Sequence, residues 1–325
     1  MNYRFIQIPR ETATAQYKDA IERMVGKLSA CPGVVSIAQV GGIGTPGISD
    51  IDFYVVFRDE FAYSLNPTDG LSAADRYLFT HNLFGTSESF AGRMEQYTYF
   101  GSYKNLYGKD LLFLTNLEPG SVDVLKKQIA LEYLLKAWLT IAIEKKSGVI
   151  KIRNLFLLAK ALVHDLAFLN VSSGALWETV QEIIRTRNGW FQQAMGSAQL
   201  TSLIDRYEKE LFLFLQHLLP VHFYLPGAKT IPISRNIFLT QGDKLNLVTS
   251  GLMLPTAVRA LLPKGESLQR RLIRFQGEVP TVKTTVPDSI AGRQQWISAA
   301  CQYNNRQLPG FVPTAFGLQI FNTSI

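Results

Sequence analysis

Cysteine and histidine are scarce in this chain: Cys31 and Cys301 are its two thiols, and His81, His164, His217 and His222 its four imidazoles. Neither cysteine belongs to a C-x-x-C pair and no two histidines fall in H-E-x-x-H, so the spacings for a disulfide framework, a structural zinc or a zinc-peptidase site are missing. Long apolar runs are missing too. The longest, Ile129–Ile143, contains Glu132 and Lys136 and falls short of the roughly 18 uncharged residues of a spanning helix, which predicts a buried helix and no membrane partner. Residues 1–19 have neither the basic start nor the apolar core of a secretion signal, so the expected location is cytoplasmic, a reducing compartment where free thiols are ordinary. Internal repeats and low-complexity tracts are absent.

What is present reads as globular. The 325 residues are 47% hydrophobic and 18% charged, too apolar for a disordered chain and long enough for about two domains. The net charge of +7 is unevenly spread: residues 1–120 hold 10 Lys+Arg and 13 Asp+Glu, a net of −3, so residues 121–325 carry the remaining 23 and 13, a net of +10. A basic half beside an acidic one attracts polyanions such as nucleotides or nucleic acid. The basic residues are dispersed, however, as on an ordinary cationic surface.

Hydrophobic spacing divides the chain. Tyr17, Ile21, Met24 and Leu28 predict a helix over Thr12–Ala30, stopped by Cys31-Pro32-Gly33. Two β-branched runs, Val34–Val40 and Ile51–Phe57, predict strands, with a helix over Leu71–Phe84 and further strands within Gln96–Leu114. From Ser121 the period becomes helical: Leu125, Ile129, Tyr133, Trp138 and Ile141 mark one helix, Leu155–Leu169 a second, Trp177–Arg187 a shorter one and Leu200–Leu218 another. Beyond Pro220 the pattern is mixed, with strands expected at Ile231–Leu239, Leu245–Thr249 and Leu272–Gln276, a helix at Ile290–Gln302, and an apolar tail that should pack back on the body. The expected organisation is a catalytic unit over 1–120, a helical unit over 121–219 and a mixed α/β segment over 220–325, possible neighbour of the helical unit.

The chemistry concentrates in Val34–Phe57, where a strand, Gly41-Gly42, a loop and then Asp50-Ile51-Asp52 lead into a second strand. Side chains at i and i+2 of a strand share a face, so Asp50 and Asp52 should converge. Two carboxylates at an exposed strand start suit one or two magnesium ions, hard cations that take oxygen ligands and keep positions open for phosphates. Gly41 and Gly42, without β-carbons, let backbone N–H groups approach a phosphate. The competing reading is turn chemistry, Asp50 simply accepting a backbone N–H. Sugar-nucleotide glycosyltransferases and aspartate-nucleophile phosphatases carry their aspartates after an apolar strand, whereas here the apolar run follows them.

These residues resemble the DNA polymerase beta-like nucleotidyltransferase superfamily, whose signature is a hydrophobic strand, Gly-Gly or Gly-Ser, a spacer, and Asp-h-Asp or Asp-h-Glu on the next strand (h, hydrophobic). V-GG-IGTPGIS-DID-F matches it, including Ser49 before the first aspartate. The motif covers about 25 residues, and the order of elements extends the likeness over Thr12–Leu219. The seven-residue spacer Ile43–Ser49 is shorter than usual, so the helix that follows the glycines is expected to be trimmed or replaced by a turn at Pro46-Gly47.

The resemblance implies an α/β (α+β) fold, a mixed sheet flanked by helices and followed by a helical domain. It implies transfer of a nucleoside monophosphate from a nucleoside triphosphate to an acceptor hydroxyl, with magnesium at two sites. Asp50 and Asp52 would bind both ions. The third carboxylate is expected from a later strand, Asp110 first and Glu95 second. Gly41, Gly42 and Ser49 would lie along the nucleotide, and Lys104, Lys109, Lys151, Arg153 and Lys160 are candidates for the triphosphate tail, with Lys151 and Arg153 favoured because they open a helix after Gly148; each reads first as a solvated cation. The acceptor, whether small molecule, protein side chain or RNA end, is not legible. The alternative is a catalytically reduced relative that binds nucleotide or nucleic acid without transferring it.

Elsewhere the chemistry-bearing residue types have plainer readings. His164 and Asp165 are adjacent on a helix and diverge by about 100°, so they form no dyad. His217 and His222 flank Pro220 at a helix end, a capping position. Tyr97, Tyr99, Phe100, Tyr103 and Tyr107 could stack a base but read first as cross-strand packing.

Overall fold

A computed structural model describes residues 3–93, 103–110, 119–193, 195–225, 230–234, 236–252, 254 and 272–313. Within them the chain is mixed α/β, with eight helices and three sheets among the described residues.

The first unit is built on a four-stranded sheet. Strands β2 (Val34–Val40) and β3 (Asp52–Phe57) pair antiparallel, β4 (Phe84–Ser87) joins β3 in parallel, and β5 (Tyr103–Gly108) closes the other edge against β2. The run Asp52–Phe57 is apolar at every position after the first because both of its faces are covered. Phe53, Val55 and Phe57 face Tyr17, Met24 and Leu28 of helix α1 (Thr14–Ser29), which lies on one side. Tyr54 and Val56 face Trp296, Ile297 and Cys301 of the last helix, α8 (Asp288–Gln307), on the other. The Leu71–Phe84 expectation resolves into the short helix α2 (Ala73–Leu78) followed by β4, with α3 (Glu88–Ala91) after it.

The helical unit follows the expected periodicity: α4 (Pro119–Ser147), α5 (Ile152–Phe168), α6 (Ala175–Asn188) and α7 (Ser197–His222), the last continuing through Pro220. Among the described residues no helix is long and apolar enough to cross a membrane. Glu132 sits fully inside α4's packing and is met by Arg293 of α8, whose Nη1 and Nη2 donate to its two carboxylate oxygens at 2.6 and 2.8 Å. Gln128, one turn earlier, donates to Glu132 Oε1 at 3.0 Å. A charge in an apolar run is tolerable at this depth because it is paired and hydrogen-bonded. A two-stranded parallel sheet of β1 (Arg4–Ile6) and β6 (Val149–Lys151) ties the amino terminus to the end of α4.

The described residues after Pro220 divide between the two units. The single strand expected over Ile231–Leu239 is a hairpin of β7 (Thr230–Ser234) and β8 (Ile237–Gln241), which with β9 (Asn246–Gly251) and β10 (Ile273–Val279) forms a sheet of order β7-β8-β10-β9. Ile231, Leu239, Leu247, Phe275 and Val279 of that sheet enter the helical core. By contrast α8 covers the first sheet, and Phe311 packs against Phe57 and Tyr63. The tail therefore does fold back as far as it is described; its last residues, 314–325, lie outside the described residues.

Candidate metal and nucleotide site

The loop from Gly41 to Ile51 crosses the seam between the two units. Ile48 belongs to the helical core and Ile51 to the core of the first sheet, both buried, so the loop is anchored on each side of Asp50. Its middle is a turn: the Ile48 and Ser49 N–H groups both donate to the Thr45 carbonyl, at 3.1 and 2.9 Å. Gly47, with φ +84°, takes a conformation L residues rarely adopt, and a β-carbon there would lie 2.2 Å from the Arg10 carbonyl oxygen. The short spacer thus holds a turn at Pro46-Gly47.

That turn is held from four directions. The Tyr17 hydroxyl of α1 donates to the Ser49 carbonyl (2.7 Å) and accepts from the Gly47 N–H (2.9 Å). Tyr77 of α2 donates to the Gly47 carbonyl (2.5 Å). Arg153 of α5, buried and 4.0 Å from the Tyr77 ring centroid, donates to the carbonyls of Ile48 (2.9 Å), Ser49 (2.7 Å) and Tyr77. Arg187 of α6, also buried, donates to Ser49 Oγ (2.9 Å) and Thr45 Oγ1 (2.6 Å). Guanidinium groups suit this because their forked donors reach several acceptors at once.

Asp50 and Asp52 emerge from this support together. Asp52 pairs with Val40, the residue before Gly41, so carboxylates and glycines share one end of the sheet. The same end receives the chain entering β4, because β3 and β4 run parallel. Ile51 donates its N–H to the Leu78 carbonyl (3.0 Å), and Thr80 Oγ1 donates to Asp50 Oδ2 (2.8 Å). His81 completes the group: one ligand atom from each of Asp50, Asp52 and His81 lies within 4.8 Å of the others, a donor set that fits a divalent ion. His81 Nε2 is 2.8 Å from Asp52 Oδ1, and Nδ1 is 2.7 Å from the Asn82 carbonyl.

The electrostatics follow from this crowding. Burial, and then the charge of Asp52, push the Asp50 carboxyl up, against the Thr80 hydrogen bond and the positive charge of His81 and Arg153. Burial pulls the His81 imidazole down, but its hydrogen bond and charge interaction with Asp52 outweigh that and raise it to about 8. Two cations of the helical unit interact electrostatically with the same carboxylates. Lys160 of α5 is lowered by burial and by Arg187, and partly restored by Asp50 and Asp52. Lys136 of α4 is lowered by burial and partly restored by Asp165 and Asp52.

The other expected site residues are placed as follows. Gly41 (φ +70°) and Gly42 are exposed, with open space where their β-carbons would be. Ser49 is buried and engaged by Arg187 and by Thr45, whose N–H donates to its hydroxyl at 3.1 Å. Lys151 lies on β6, its ammonium 4.0 Å from Glu144. Lys104 is exposed on β5, and Lys109 pairs with Glu88 at 3.1 Å. Asp110 is exposed beyond the far end of β5, where Gly108 pairs with Ser36, and its carboxylate accepts from Tyr103 at 3.3 Å; the cluster at Asp50 does not include it. Glu95, Tyr97, Tyr99, Phe100 and the Leu111–Leu114 run lie outside the described residues. Sequence reasoning passed over His81, Thr80, Arg187 and Lys136. Nothing local marks His81, which stands 29 positions after Asp52; the parallel pairing of β4 on β3 brings it there.

Comparison with protein-family models, with curated proteins and with solved structures found no match to this chain.

Proposed function

We propose that the protein is a divalent-cation-dependent nucleotidyltransferase, moving a nucleoside monophosphate from a nucleoside triphosphate to an acceptor hydroxyl. The observation that carries this reading is the meeting of Asp50, Asp52 and His81 at the sheet edge beside the open backbone of Gly41 and Gly42. Asp50 and Asp52 would hold the cation, magnesium on the sequence reading, and a bound cation would neutralise phosphate charge at the reacting centre. Gly41 and Gly42 leave backbone room for phosphate oxygens. Lys160, which feels the charge of Asp50 and Asp52, would supply positive charge to a triphosphate there. Arg153 and Arg187 position the Thr45–Ser49 turn, Arg153 through the Ile48 and Ser49 carbonyls and Arg187 through the Thr45 and Ser49 hydroxyls. In the reaction the acceptor oxygen bonds to the α-phosphorus, the bond from that phosphorus to the bridging oxygen of the β-phosphate breaks, pyrophosphate leaves, and the hydroxyl proton passes to solvent.

A second reading, a nucleotide- or nucleic-acid-binding module without transfer, is favoured by the separation of Asp110 from the cluster. Incubation with each α-³²P-labelled nucleoside triphosphate and a divalent cation, in wild type and Asp50→Asn/Asp52→Asn, separates the two. Label transfer or pyrophosphate release that disappears in the variant supports the enzyme, and labelling of the protein itself identifies a protein acceptor. Nucleotide binding with no pyrophosphate from any of the four triphosphates supports the module.

A further inference from the structure

We propose that His81 is the third ligand of the cation held by Asp50 and Asp52, and that its nitrogen gives the site a preference for divalent first-row transition metals over magnesium. The inference rests on the reading above that the two aspartates hold a cation.

Three features of the geometry support it. The first is proximity: the ligand atoms of the three side chains lie within 4.8 Å of one another, so a single ion can touch all three. The second is the orientation of the imidazole. Nδ1 lies 2.7 Å from the Asn82 carbonyl, an oxygen that only accepts, so Nδ1 carries a hydrogen in either charge state of the ring, and a cation that displaces the Nε2 proton meets a lone pair there. A backbone carbonyl fixing the far nitrogen is the support that metal-binding imidazoles ordinarily have. Nε2 lies 2.8 Å from Asp52 Oδ1, so the atom that meets the carboxylate in the metal-free protein is the one that would share an ion with it. The third is Thr80, whose hydroxyl donates to Asp50 Oδ2 at 2.8 Å and so orients that carboxylate, leaving Oδ1 for coordination. Consecutive residues of one loop thus supply a ligand and the group that aims another ligand.

The donor set decides the metal. Magnesium favours an all-oxygen octahedron and keeps several waters. An imidazole nitrogen favours the first-row transition series, whose affinities rise from manganese towards copper. Manganese is the weakest of that series, so a preference for it over magnesium is a conservative measure of the nitrogen's effect.

The experiment is Mn²⁺ titration of the full chain followed by electron paramagnetic resonance, with Mg²⁺ as competitor and pulsed detection of nitrogen coupling to bound Mn²⁺. It compares wild type, His81→Asp and Asp50→Asn/Asp52→Asn. The expected result is one Mn²⁺ bound about tenfold or more tightly than Mg²⁺, with imidazole nitrogen coupling. The aspartate double variant should lose the ion. In His81→Asp, Mn²⁺ should still bind, without nitrogen coupling and with the preference over Mg²⁺ reduced. Binding that depends on Asp50 and Asp52 but shows no nitrogen coupling in wild type overturns the assignment of His81 and leaves the aspartate site standing. Failure of wild type to bind either cation overturns both. Should His81→Asp fail to fold, as judged by circular dichroism, the wild-type nitrogen coupling decides alone.

Discussion

Arg187 donates from Nη2 to Ser49 Oγ at 2.9 Å, joining two residues 138 positions apart and fastening helix α6 to the loop that presents Asp50. The helical unit is therefore part of the site's support as well as a neighbour of it. Arg187→Met should destabilise the protein by about 2 kcal/mol, because the Ser49 and Thr45 hydroxyls lose charged donors in a buried place. Arg187→Lys should not restore it, since one ammonium cannot reproduce the fork. Urea unfolding of the three proteins measures this; full stability in the lysine variant would contradict the bidentate role.

The Arg293–Glu132 pair gives a second test, far from the aspartates in function. Arg293→Met leaves Glu132 as a buried carboxylate without its cation and should cost about 3–5 kcal/mol. Arg293→Met combined with Glu132→Leu should recover most of that loss, because replacing both charges removes the desolvation problem. A double-mutant cycle by chemical denaturation reads the coupling, and additive losses would rule it out.

The glycines of the loop separate packing from function. Gly47→Ala should cost at least about 2 kcal/mol, because φ is +84° and the new β-carbon would meet the Arg10 carbonyl. Gly42→Ala meets nothing within 4 Å and should change stability by less than about 0.5 kcal/mol. On the nucleotidyltransferase reading the same alanine should weaken nucleotide binding, since a methyl would stand where phosphate oxygens approach. Thermal unfolding with and without nucleotide distinguishes the two effects. Unchanged nucleotide affinity in Gly42→Ala would remove the glycine pair from the site.

The charge state of His81 should be visible in the metal-free protein. Its value is raised from 6.5 to about 8, so the interaction with Asp52 stabilises the fold fully below about pH 6.5 and fades as pH rises through about 8. In Asp52→Asn the imidazole should titrate below its wild-type value, because burial is then opposed only by the Asn82 carbonyl and the charge of Asp50. Proton-detected titration of the His81 ring, with urea midpoints on either side of pH 8, measures both. A wild-type midpoint at or below 6.5 would contradict the pairing.

Much of the fold was legible because it depends on local spacing. The helical positions of Tyr17, Met24 and Leu28 and the apolar run of β3 follow from burial of one helix stripe and of two sheet faces. The hairpin within Ile231–Leu239 is hidden in the sequence because both arms are apolar, with Ser234 paired to Ile237 at its closed end. The split of the described residues after Pro220 between the two units is not legible, since apolar positions say that a surface is buried and not against what.

The candidate site divides the same way. Residues two apart at a strand start and a glycine pair one strand earlier are close in space by chain geometry alone, so Asp50, Asp52, Gly41 and Gly42 were within reach of the sequence. His81 and Thr80 come to that edge because β4 joins β3 in parallel, and Arg153 and Arg187 because two helices of another unit close on the Thr45–Ser49 turn. Strand order and interhelical contact are decisions of the whole core, made by which buried faces fit one another. No short stretch of the chain contains them.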